Sequence, residues 1–319
     1  MSSVKLKKGN YVVFGSSGMI GTHLLKKINN LEGVNVKAVY FQNPPKVKGR
    51  NIRPLKIDIT KSENLKRILE STDTVFNFAG KLATSKVLMK DSITPLYYNI
   101  KIFNNLIYNC WLNNVKNFVW MSSTTGYSEK KINKEEDFFS NNPPKNWYGI
   151  GHMTRFFENF TTYINNHPTK KMKSIIVRPS LIYGEYDHFY GDEAHFIPSI
   201  IERISRNPKS LTFYGSPNEK RNIIYAGDVI NILLKILSKN CSPINIGYYR
   251  SFRLSDIIQK ICNLMNFDYK KVVFKKSKNK KIEFEFSLEK MKQNLSSFEL
   301  TTIDEGLLKT IKWFEKNKK

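Results

Sequence analysis

The chain has 319 residues, enough to bury a large core as one large domain or as two domains of moderate size. Hydrophobic residues make up 40% of it without forming an apolar run of the roughly 20 residues that a bilayer-spanning helix needs, so we expect a globular protein with no membrane span. The net charge of +25 is spread along a Lys-, Asn- and Ile-rich chain, which argues against a nucleic-acid partner.

The cysteines and the N-terminal residues bear on the cellular compartment. Cys110, Cys241 and Cys262 are widely spaced, which predicts neither a disulfide framework nor a zinc site and is typical of a reducing compartment. No apolar segment precedes the first predicted strand, so we expect no secretory signal. The sequence therefore predicts a cytoplasmic protein without a metal site.

The first predicted element is a strand from Tyr11 to Phe14, followed by a glycine turn and an amphipathic helix that ends near residue 30. Gly15 would let the chain turn off the strand, Gly18 would let backbone N–H groups approach a pyrophosphate, and Gly21 would let the helix pack close to the sheet. This order of elements predicts a dinucleotide site. The alternative is a glycine turn that merely joins a strand to a helix.

Strands and helices continue to alternate through the first half of the chain. This alternation predicts an α/β fold with a Rossmann-type, doubly wound parallel sheet. Ligands of such sheets bind at the carboxyl ends of the strands, so the residues that follow each strand are candidates for function. The predicted strands cover residues 35–41, 54–57, 74–78, 117–121 and 174–177, and the predicted helices cover residues 63–69, 95–113 and 147–163.

Beyond residue 180 the pattern loosens into loops, aromatic residues and short helices. Core-like segments return within residues 223–247. We therefore predict an NAD(P)-binding domain over residues 1–180, to which the segments within 223–247 also belong, and a smaller substrate-binding lobe over residues 181–319.

Two predicted strand ends carry residues suited to a cofactor. Asp58 follows the third strand, where its carboxylate could accept from an adenine amino group, although a plain strand-end turn would explain it as well. Small residues in Asn77-Phe78-Ala79-Gly80, after the fourth strand, leave room for a ribose.

The second strand ends in Tyr40-Phe41-Gln42-Asn43, without the Asp or Glu that would bind the ribose hydroxyls of NAD. NADP(H) is thereby favoured over NAD(H). Ser17 offers a hydroxyl to a 2′-phosphate, and Lys46 would add positive charge unless it points into water.

Ser123, after the fifth strand, and Tyr148, at the start of the next helix, could serve hydride transfer to a ketone. The phenol would donate a proton to the carbonyl oxygen and the serine hydroxyl would hold that oxygen. The residue four positions after Tyr148, which faces the same way, is His152. A tyrosine is followed four positions later by a lysine at Tyr127 and Lys131. This pair falls in a predicted loop, and we treat the spacing as coincidence.

Taken together, these motifs resemble the extended short-chain dehydrogenase/reductases of the NAD-dependent epimerase/dehydratase family. The second half is most similar to GDP-fucose synthase and related GDP-sugar 4-keto reductases. The motifs that carry the resemblance span nearly the whole chain: Gly15-Ser16-Ser17-Gly18-Met19-Ile20-Gly21, Asp58-Ile59, Asn77 to Gly80, Ser122-Ser123, Tyr148, Arg178 to Gly184, Asp192 to Pro198 and Lys220 to Val229.

The resemblance implies a role for individual residues. It makes Ser123 and Tyr148 catalytic, assigns the diphosphate of a nucleotide-sugar substrate to Arg221, and implies a homodimer formed through the helices at 95–113 and 147–163. His152 stands where the family has a lysine that binds the nicotinamide ribose and lowers the pKa of the tyrosine, and it is predicted as a third catalytic residue and as a ribose contact. The implied cofactor-binding residues are Gly15, Ser17, Gly18, Met19, Ile20, Gly21, Asp58, Ile59, Phe78, Ala79, Gly80 and His152.

Two departures from the family pattern narrow the chemistry. Thr125 stands where GDP-fucose synthase has a cysteine that exchanges carbon protons together with a histidine, here His195, so ring epimerisation is not expected. Thr124-Thr125 replaces the Asp-Glu pair of the 4,6-dehydratases, so dehydration is not expected either. Thr125 and His195 remain candidates for substrate binding.

Once ring epimerisation and dehydration are set aside, the reaction that remains is hydride transfer at carbon 4 of a sugar nucleotide. The leading hypothesis is an NAD(P)H-dependent reductase of a nucleotide-linked 4-keto sugar, used for a surface polysaccharide. One alternative is a 4-epimerase that retains NAD. Another is a cofactor-binding protein that has lost catalysis, with His152 as the trace of that loss.

Overall fold

The structure is a computed structural model that describes residues 6–130, 132–276, 285–295 and 299–318. The strands of the described residues are β1 (Gly9–Phe14), β2 (Val34–Tyr40), β3 (Ile52–Lys56), β4 (Thr74–Asn77), β5 (Asn117–Met121), β6 (Ile132–Asn133), β7 (Lys173–Pro179), β8 (Leu181–Tyr183), β9 (Leu211–Tyr214), β10 (Lys220–Arg221), β11 (Ile223–Tyr225), β12 (Ile244–Ile246), β13 (Phe252–Arg253), β14 (Val272–Lys275) and β15 (Glu285–Phe286). Seven of them form a parallel central sheet in the order β12-β7-β5-β4-β1-β2-β3.

Helices cover both faces of the sheet. The helices of the described residues are α1 (Met19–Ile28), α2 (Leu65–Leu69), α3 (Ser85–Lys90), α4 (Ile93–Leu112), α5 (Tyr148–Asn165), α6 (Phe196–Ser205), α7 (Ala226–Ile236), α8 (Leu254–Leu264), α9 (Glu289–Asn294) and α10 (Ile303–Asn317). Apolar residues of α1 and α7 pack on one face, and those of α2, α4 and α5 pack on the other. The predicted Rossmann-type α/β fold is confirmed.

A second apolar cluster lies outside the sheet and joins α6, α8 and α10 to β8, β9 and β11. The carboxylate of Asp228 in α7 connects this part to the sheet, because it accepts from both the backbone N–H and the hydroxyl of Thr301 at 2.9 Å. Thr302 then caps α10 and forms a capping box with Glu305. Of the helices in the described ranges, none combines the length and apolar character needed to cross a membrane.

Several elements differ from those predicted. Helix α4 begins at Ile93 rather than at residue 95, because Pro95 is tolerated in the first turn of a helix, where its missing N–H has no intrahelical acceptor. The short helix α3 was not predicted from the pattern. After residue 180, where we expected loops and short helices, β8 forms a parallel pair with β11.

Candidate active site

The turn between β1 and α1 is as tight as the three glycines predict. Gly15 has a φ of +73°, and a Cβ on it would lie 2.6 Å from the carbonyl group of Phe78. A Cβ on Gly21 would lie 2.3 Å from the Gly15 carbonyl oxygen. Ser16 fastens the turn to β2, because both its N–H and its hydroxyl donate to the carbonyl oxygen of Val39, at 3.2 and 2.8 Å.

Gly18 differs from the other two glycines, because the described protein atoms do not require a glycine there. Its φ is −73°, and the nearest described atom to an added Cβ is the Gly15 carbonyl oxygen at 3.4 Å, an ordinary contact. Gly18 precedes α1, whose first turn receives no side-chain cap from the described residues and carries no acidic residue. Free N–H groups and open space at a helix N-terminus fit a pyrophosphate.

The next strand ends have partners of their own. The Asp58 carboxylate accepts from the N–H and the hydroxyl of Thr60, at 3.0 and 2.7 Å, and these hydrogen bonds lower its pKa. These bonds form a turn at the strand end, which was the second interpretation of Asp58 in the sequence. Both hydrogen bonds end on Oδ1 of the carboxylate. After β4, the Asn77 side chain accepts from the N–H of Ala79 at 3.1 Å. A Cβ on Gly80 would lie 3.1 Å from Asn99 Oδ1.

Lys46 is exposed, and its ammonium lies over two aromatic rings. The ammonium lies 5.0 Å from the ring centroid of Tyr186 and 5.1 Å from that of Trp313, and its partial burial lowers its pKa. Lys26, from α1, lies over the same tyrosine ring at 5.1 Å. The charge that the sequence offered for a 2′-phosphate is thus engaged with two aromatic rings.

Ser123 lies just beyond β5 and caps a short 3₁₀ turn of residues 124–126. Its Oγ accepts two hydrogen bonds from the same residue, from the N–H of Thr125 at 3.2 Å and from the hydroxyl of Thr125 at 2.9 Å. The serine hydroxyl is thereby held in place within its own turn.

Helix α5 packs directly against this turn and brings Tyr148 and His152 to the same edge of the sheet. A Cβ on Gly151 would lie 2.6 Å from the carbonyl oxygen of Thr125, so only a glycine allows this approach. The Tyr148 ring is 52% exposed and meets the His152 ring edge-on, with 4.5 Å between centroids. His152 Nε2 is buried and has no hydrogen-bond partner among the described residues, as expected of a nitrogen whose partner would be a bound ligand.

Arg155 lies seven residues after Tyr148 in α5 and faces the turn after Ser123 rather than solvent. It is buried, and its three donor nitrogens bond to the backbone carbonyls of Gly126, Ser140 and Asn141. These bonds hold the turn after Ser123 in place.

Tyr127, the first residue of the tyrosine-x-x-x-lysine match, has a structural role. It is fully buried, and its hydroxyl donates to the side chain of Asn245 at 2.7 Å. Lys131 lies outside the described residues.

Sequence reasoning missed a buried polar network beneath this turn. Arg178 donates to both carboxylate oxygens of Glu158, at 2.9 and 2.6 Å, and Ser122 donates to the same carboxylate at 2.5 Å. The Arg178 guanidinium also lies 3.7 Å from the ring centroid of Phe138. The signal in the sequence was the Arg-Pro pair at the end of β7, which we used only as a family motif.

A cleft of about 990 Å³ opens above the carboxyl end of the sheet. Its lining brings together four predicted residues, namely Ser123, Thr125, His195 and Arg221. Tyr148 and His152 are not among the described residues that line it, although Trp147 is. The basic residues of the lining are Lys86, Lys220, Arg221, Arg250 and Lys292, against Glu285 as the acidic one within the described ranges. Such a cleft suits an anionic ligand.

His195 reaches the cleft from the N-terminal end of α6 and rests on a carboxylate that we did not predict. Its Nδ1 lies 2.6 Å from Asp187 Oδ1, and the Asp187 side chain is 1% exposed. Burial disfavours the imidazolium, but the hydrogen bond and charge of Asp187 outweigh it, so the pKa of His195 is raised. Asp187 stands eight residues earlier in a loop, and no periodicity in the sequence relates the two.

Arg221 is held at the cleft wall by an ion pair. Its guanidinium donates to the carboxylate of Glu219 at 2.7 Å and to the carbonyl of Lys220 at 2.8 Å, and its side chain remains 25% exposed. Remaining donors of the guanidinium can therefore face a ligand. Across the described residues, no group of His, Cys, Asp and Glu is arranged to hold a metal ion.

The model of the NAD dependent epimerase/dehydratase family matches residues 11–247. A GDP-L-fucose synthase of Dictyostelium discoideum is 22% identical over 321 residues, which cover 97% of this chain and 96% of the relative.

Two solved structures share the fold. The UDP-glucose 4-epimerase of Thermotoga maritima superimposes with a TM-score of 0.83 at 22% identity, covering 97% of this chain and 100% of the other. A GDP-L-fucose synthetase from Naegleria fowleri superimposes with a TM-score of 0.81 at 18% identity, covering 98% and 95%.

Proposed function

Because the chain belongs to the NAD dependent epimerase/dehydratase family and is an NAD(P)-dependent enzyme of sugar nucleotides, we propose that it reduces a nucleotide-linked 4-keto sugar. The substrate class is a GDP-linked 4-keto-6-deoxy hexose or heptose, made for a surface polysaccharide. The observation that supports this most is the cleft that joins the Ser123 hydroxyl to a wall of basic residues that includes Arg221. A diphosphate would bind that wall while the sugar reaches the serine.

The described residues fit a dinucleotide, since the space above Gly18 and the uncapped start of α1 suit a pyrophosphate and the buried Nε2 of His152 suits a ribose hydroxyl. Phosphate binding falls to Gly15, Ser17, Gly18, Met19, Ile20 and Gly21, and the remaining contacts fall to Asp58, Ile59, Phe78, Ala79, Gly80 and His152. When bound, the reduced nicotinamide supplies the hydride.

The reaction then needs a proton and a fixed position for the ketone oxygen. Tyr148 donates the proton to that oxygen as negative charge develops on it. Ser123 donates a hydrogen bond to the same oxygen, Arg221 binds the diphosphate, and His195 binds a sugar hydroxyl. A half-exposed Tyr148 at the start of α5 is placed at the open edge of the sheet, where a ligand can cover it.

Simple reduction is favoured over the other reactions of related enzymes. Carbon-proton exchange needs an acid and a base near neutral pH, and the Thr125 hydroxyl beside Ser123 is too weak for either role. The Asp-Glu pair that dehydration requires is replaced by Thr124-Thr125. His195 without a thiol partner is left to bind the sugar.

We propose NADP(H) rather than NAD(H) as the cofactor. The support is the end of β2, where Phe41-Gln42-Asn43 follow Tyr40 with no acidic residue to bind ribose hydroxyls. Ser17 offers a hydroxyl to a 2′-phosphate, and the exposed Lys46, which lies over two aromatic rings, keeps a positive charge. Measured KM values for NADPH and NADH test the preference.

A homodimer through α4 and α5 is part of the proposal. The two helices pack side by side, with the Phe103 and Phe157 rings stacked at 3.8 Å, and both expose large apolar side chains on the outer surface. Paired with a second copy, this surface would be covered. Its exposed residues are Ile93, Tyr97, Tyr108, Leu112, Phe156 and Tyr163. The cytoplasmic location stays a prediction from cysteine usage.

The test is incubation of the purified protein with GDP-4-keto-6-deoxymannose and other nucleotide-linked ketoses, with NADPH or NADH, while absorbance at the reduced nicotinamide band is followed. Stoichiometric oxidation supports the reductase. A protein that purifies with bound NAD and interconverts sugar nucleotides without added cofactor is the 4-epimerase instead. Binding of cofactor without any turnover would identify the non-catalytic alternative.

A further inference from the structure

The hydrogen bonds that reach Ser123 Oγ determine what its hydroxyl can still do. A serine hydroxyl has one proton to donate and two lone pairs to accept with. The N–H of Thr125 donates to that oxygen at 3.2 Å, and the hydroxyls of Thr125 and Ser123 lie 2.9 Å apart, where either can donate to the other. A ketone oxygen has no proton of its own, so beside a bound ketone the Ser123 proton goes to the ketone and the Thr125 hydroxyl donates to Ser123.

We propose that Thr125 is a positioning residue that holds Ser123 as a hydrogen-bond donor to the ketone oxygen of the substrate. The inference rests on the proposed reductase function and assigns position 125 a role other than contact with the sugar. A carbonyl oxygen accepts hydrogen bonds, and so does the alkoxide that forms from it. A serine whose oxygen accepts from Thr125 is matched to both as a donor, and more strongly to the charged one.

Contacts with helix α5 fix the position of Thr125. Its carbonyl oxygen abuts Gly151 of α5, and the next residue, Gly126, accepts from Arg155 Nε at 2.8 Å and packs against Phe138. The donors of Thr125 therefore stand in a turn that has little freedom to move. Donors set in advance need no reorganisation when negative charge develops, which is why they lower the barrier more than mobile ones do.

The role of the hydroxyl can be separated from the role of the backbone. In Thr125→Val the N–H at 3.2 Å stays, but the 2.9 Å bond is lost, and Ser123 can turn its proton toward other acceptors. Removing an oxyanion donor altogether lowers kcat by about 10²–10³, so we expect Ser123→Ala in that range. Loss of its orientation alone is a smaller effect, on the order of tenfold in kcat, with KM little changed.

A double-mutant cycle tests the inference. Single-turnover rates of NADPH oxidation with a nucleotide-linked 4-keto sugar are measured for the wild type, Ser123→Ala, Thr125→Val and the double variant. If Thr125 acts through Ser123, Thr125→Val has no further effect in the Ser123→Ala background. Thr125→Ser, which keeps both donors, should restore the wild-type rate. NADPH binding and thermal melting of each variant confirm that the fold is intact, and Thr125→Ala replaces Thr125→Val should that variant not fold.

The outcomes separate the two levels of the proposal. An active wild type with an indifferent Thr125→Val overturns the inference and leaves the reductase standing. An equal loss from Thr125→Val with and without Ser123 also overturns it, because Thr125 would then contact the substrate itself. If none of the nucleotide-linked ketoses supports NADPH oxidation by the wild type, the proposed function is overturned, and the inference is overturned with it.

Discussion

Arg178 and Glu158 form a bidentate ion pair in which both side chains are 1% exposed. Two guanidinium nitrogens donate to the two carboxylate oxygens at 2.9 and 2.6 Å, and Ser122, the neighbour of Ser123, donates to one of the same oxygens. The pair therefore ties β7 and α5 to the end of β5. It sets the position of the helix that carries Tyr148 relative to the turn that carries Ser123.

Glu158→Gln should strongly destabilise the protein. The change leaves a buried guanidinium without its counter-charge, and breaking such a pair by removing one partner costs about 3–5 kcal/mol. Urea unfolding of the variant and the wild type measures the difference. The control is Lys260→Met, which removes an exposed pair with Asp304 and should cost at most about 1 kcal/mol. Equal losses in the two variants would contradict this account of the network.

Alanine should affect stability at Gly21 and cofactor affinity at Gly18. Gly21→Ala drives a Cβ toward the Gly15 carbonyl and should cost about 1–3 kcal/mol of stability. Gly18→Ala meets no such obstacle in the protein and should change stability by less than about 0.5 kcal/mol. It should nevertheless weaken NADPH binding by at least about tenfold, or about 1.4 kcal/mol, because the methyl group occupies the space of the pyrophosphate.

Thermal melting and NADPH fluorescence titration of the two glycine variants separate these effects. Wild-type affinity in Gly18→Ala would show that the ligand does not approach that glycine.

The Asp187–His195 contact predicts a pH dependence. Asp187 raises the pKa of His195 in the folded state above the unfolded value of about 6.5. Its stabilising contribution is therefore fully present below that pH and is lost as the pH rises through the folded pKa. In Asp187→Asn the pKa of His195 should fall, which NMR titration of the imidazole protons measures. The variant should also lose less stability than the wild type as the pH rises above about 6.5, and an unchanged His195 titration would show that the contact is not made in solution.

The variant His152→Lys distinguishes an enzyme that uses His152 from a protein that has lost catalysis. His152 Nε2 is buried without a partner among the described residues and the ring contacts Tyr148, so we expect a longer, charged side chain to disturb the site and lower kcat. The non-catalytic alternative predicts the reverse, a gain of activity. Steady-state rates of wild type, His152→Lys and His152→Gln decide between them, with NADPH affinity as the control for cofactor binding.

The central sheet was predictable because its strands and the helices between them carried their own signals. Alternating strands and helices predicted the parallel sheet, and the glycines after β1 matched a turn whose φ of +73° and close contacts need them. The joining of β8 to β11 was not predictable, because each is a strand of three residues that has too few positions to show a period.

Candidate site residues could be chosen from the sequence, but the contacts that hold them could not. Ser123, Thr125, His195 and Arg221 were chosen from sequence and do line one cleft. Asp187 was missed, because a buried carboxylate in a loop is recognised only by what it touches. The same holds for Thr125, where the sequence shows a threonine in place of a cysteine but not the hydrogen bonds that it makes to Ser123.

The most direct test of the central claim is a comparison of wild type and Tyr148→Phe in single-turnover oxidation of NADPH by GDP-4-keto-6-deoxymannose. The account predicts one NADPH consumed per ketose reduced by the wild type, and a rate lower by about 10²–10⁴ in the variant, with NADPH affinity unchanged. Equal rates in the two proteins would contradict the assignment of Tyr148 as the proton donor.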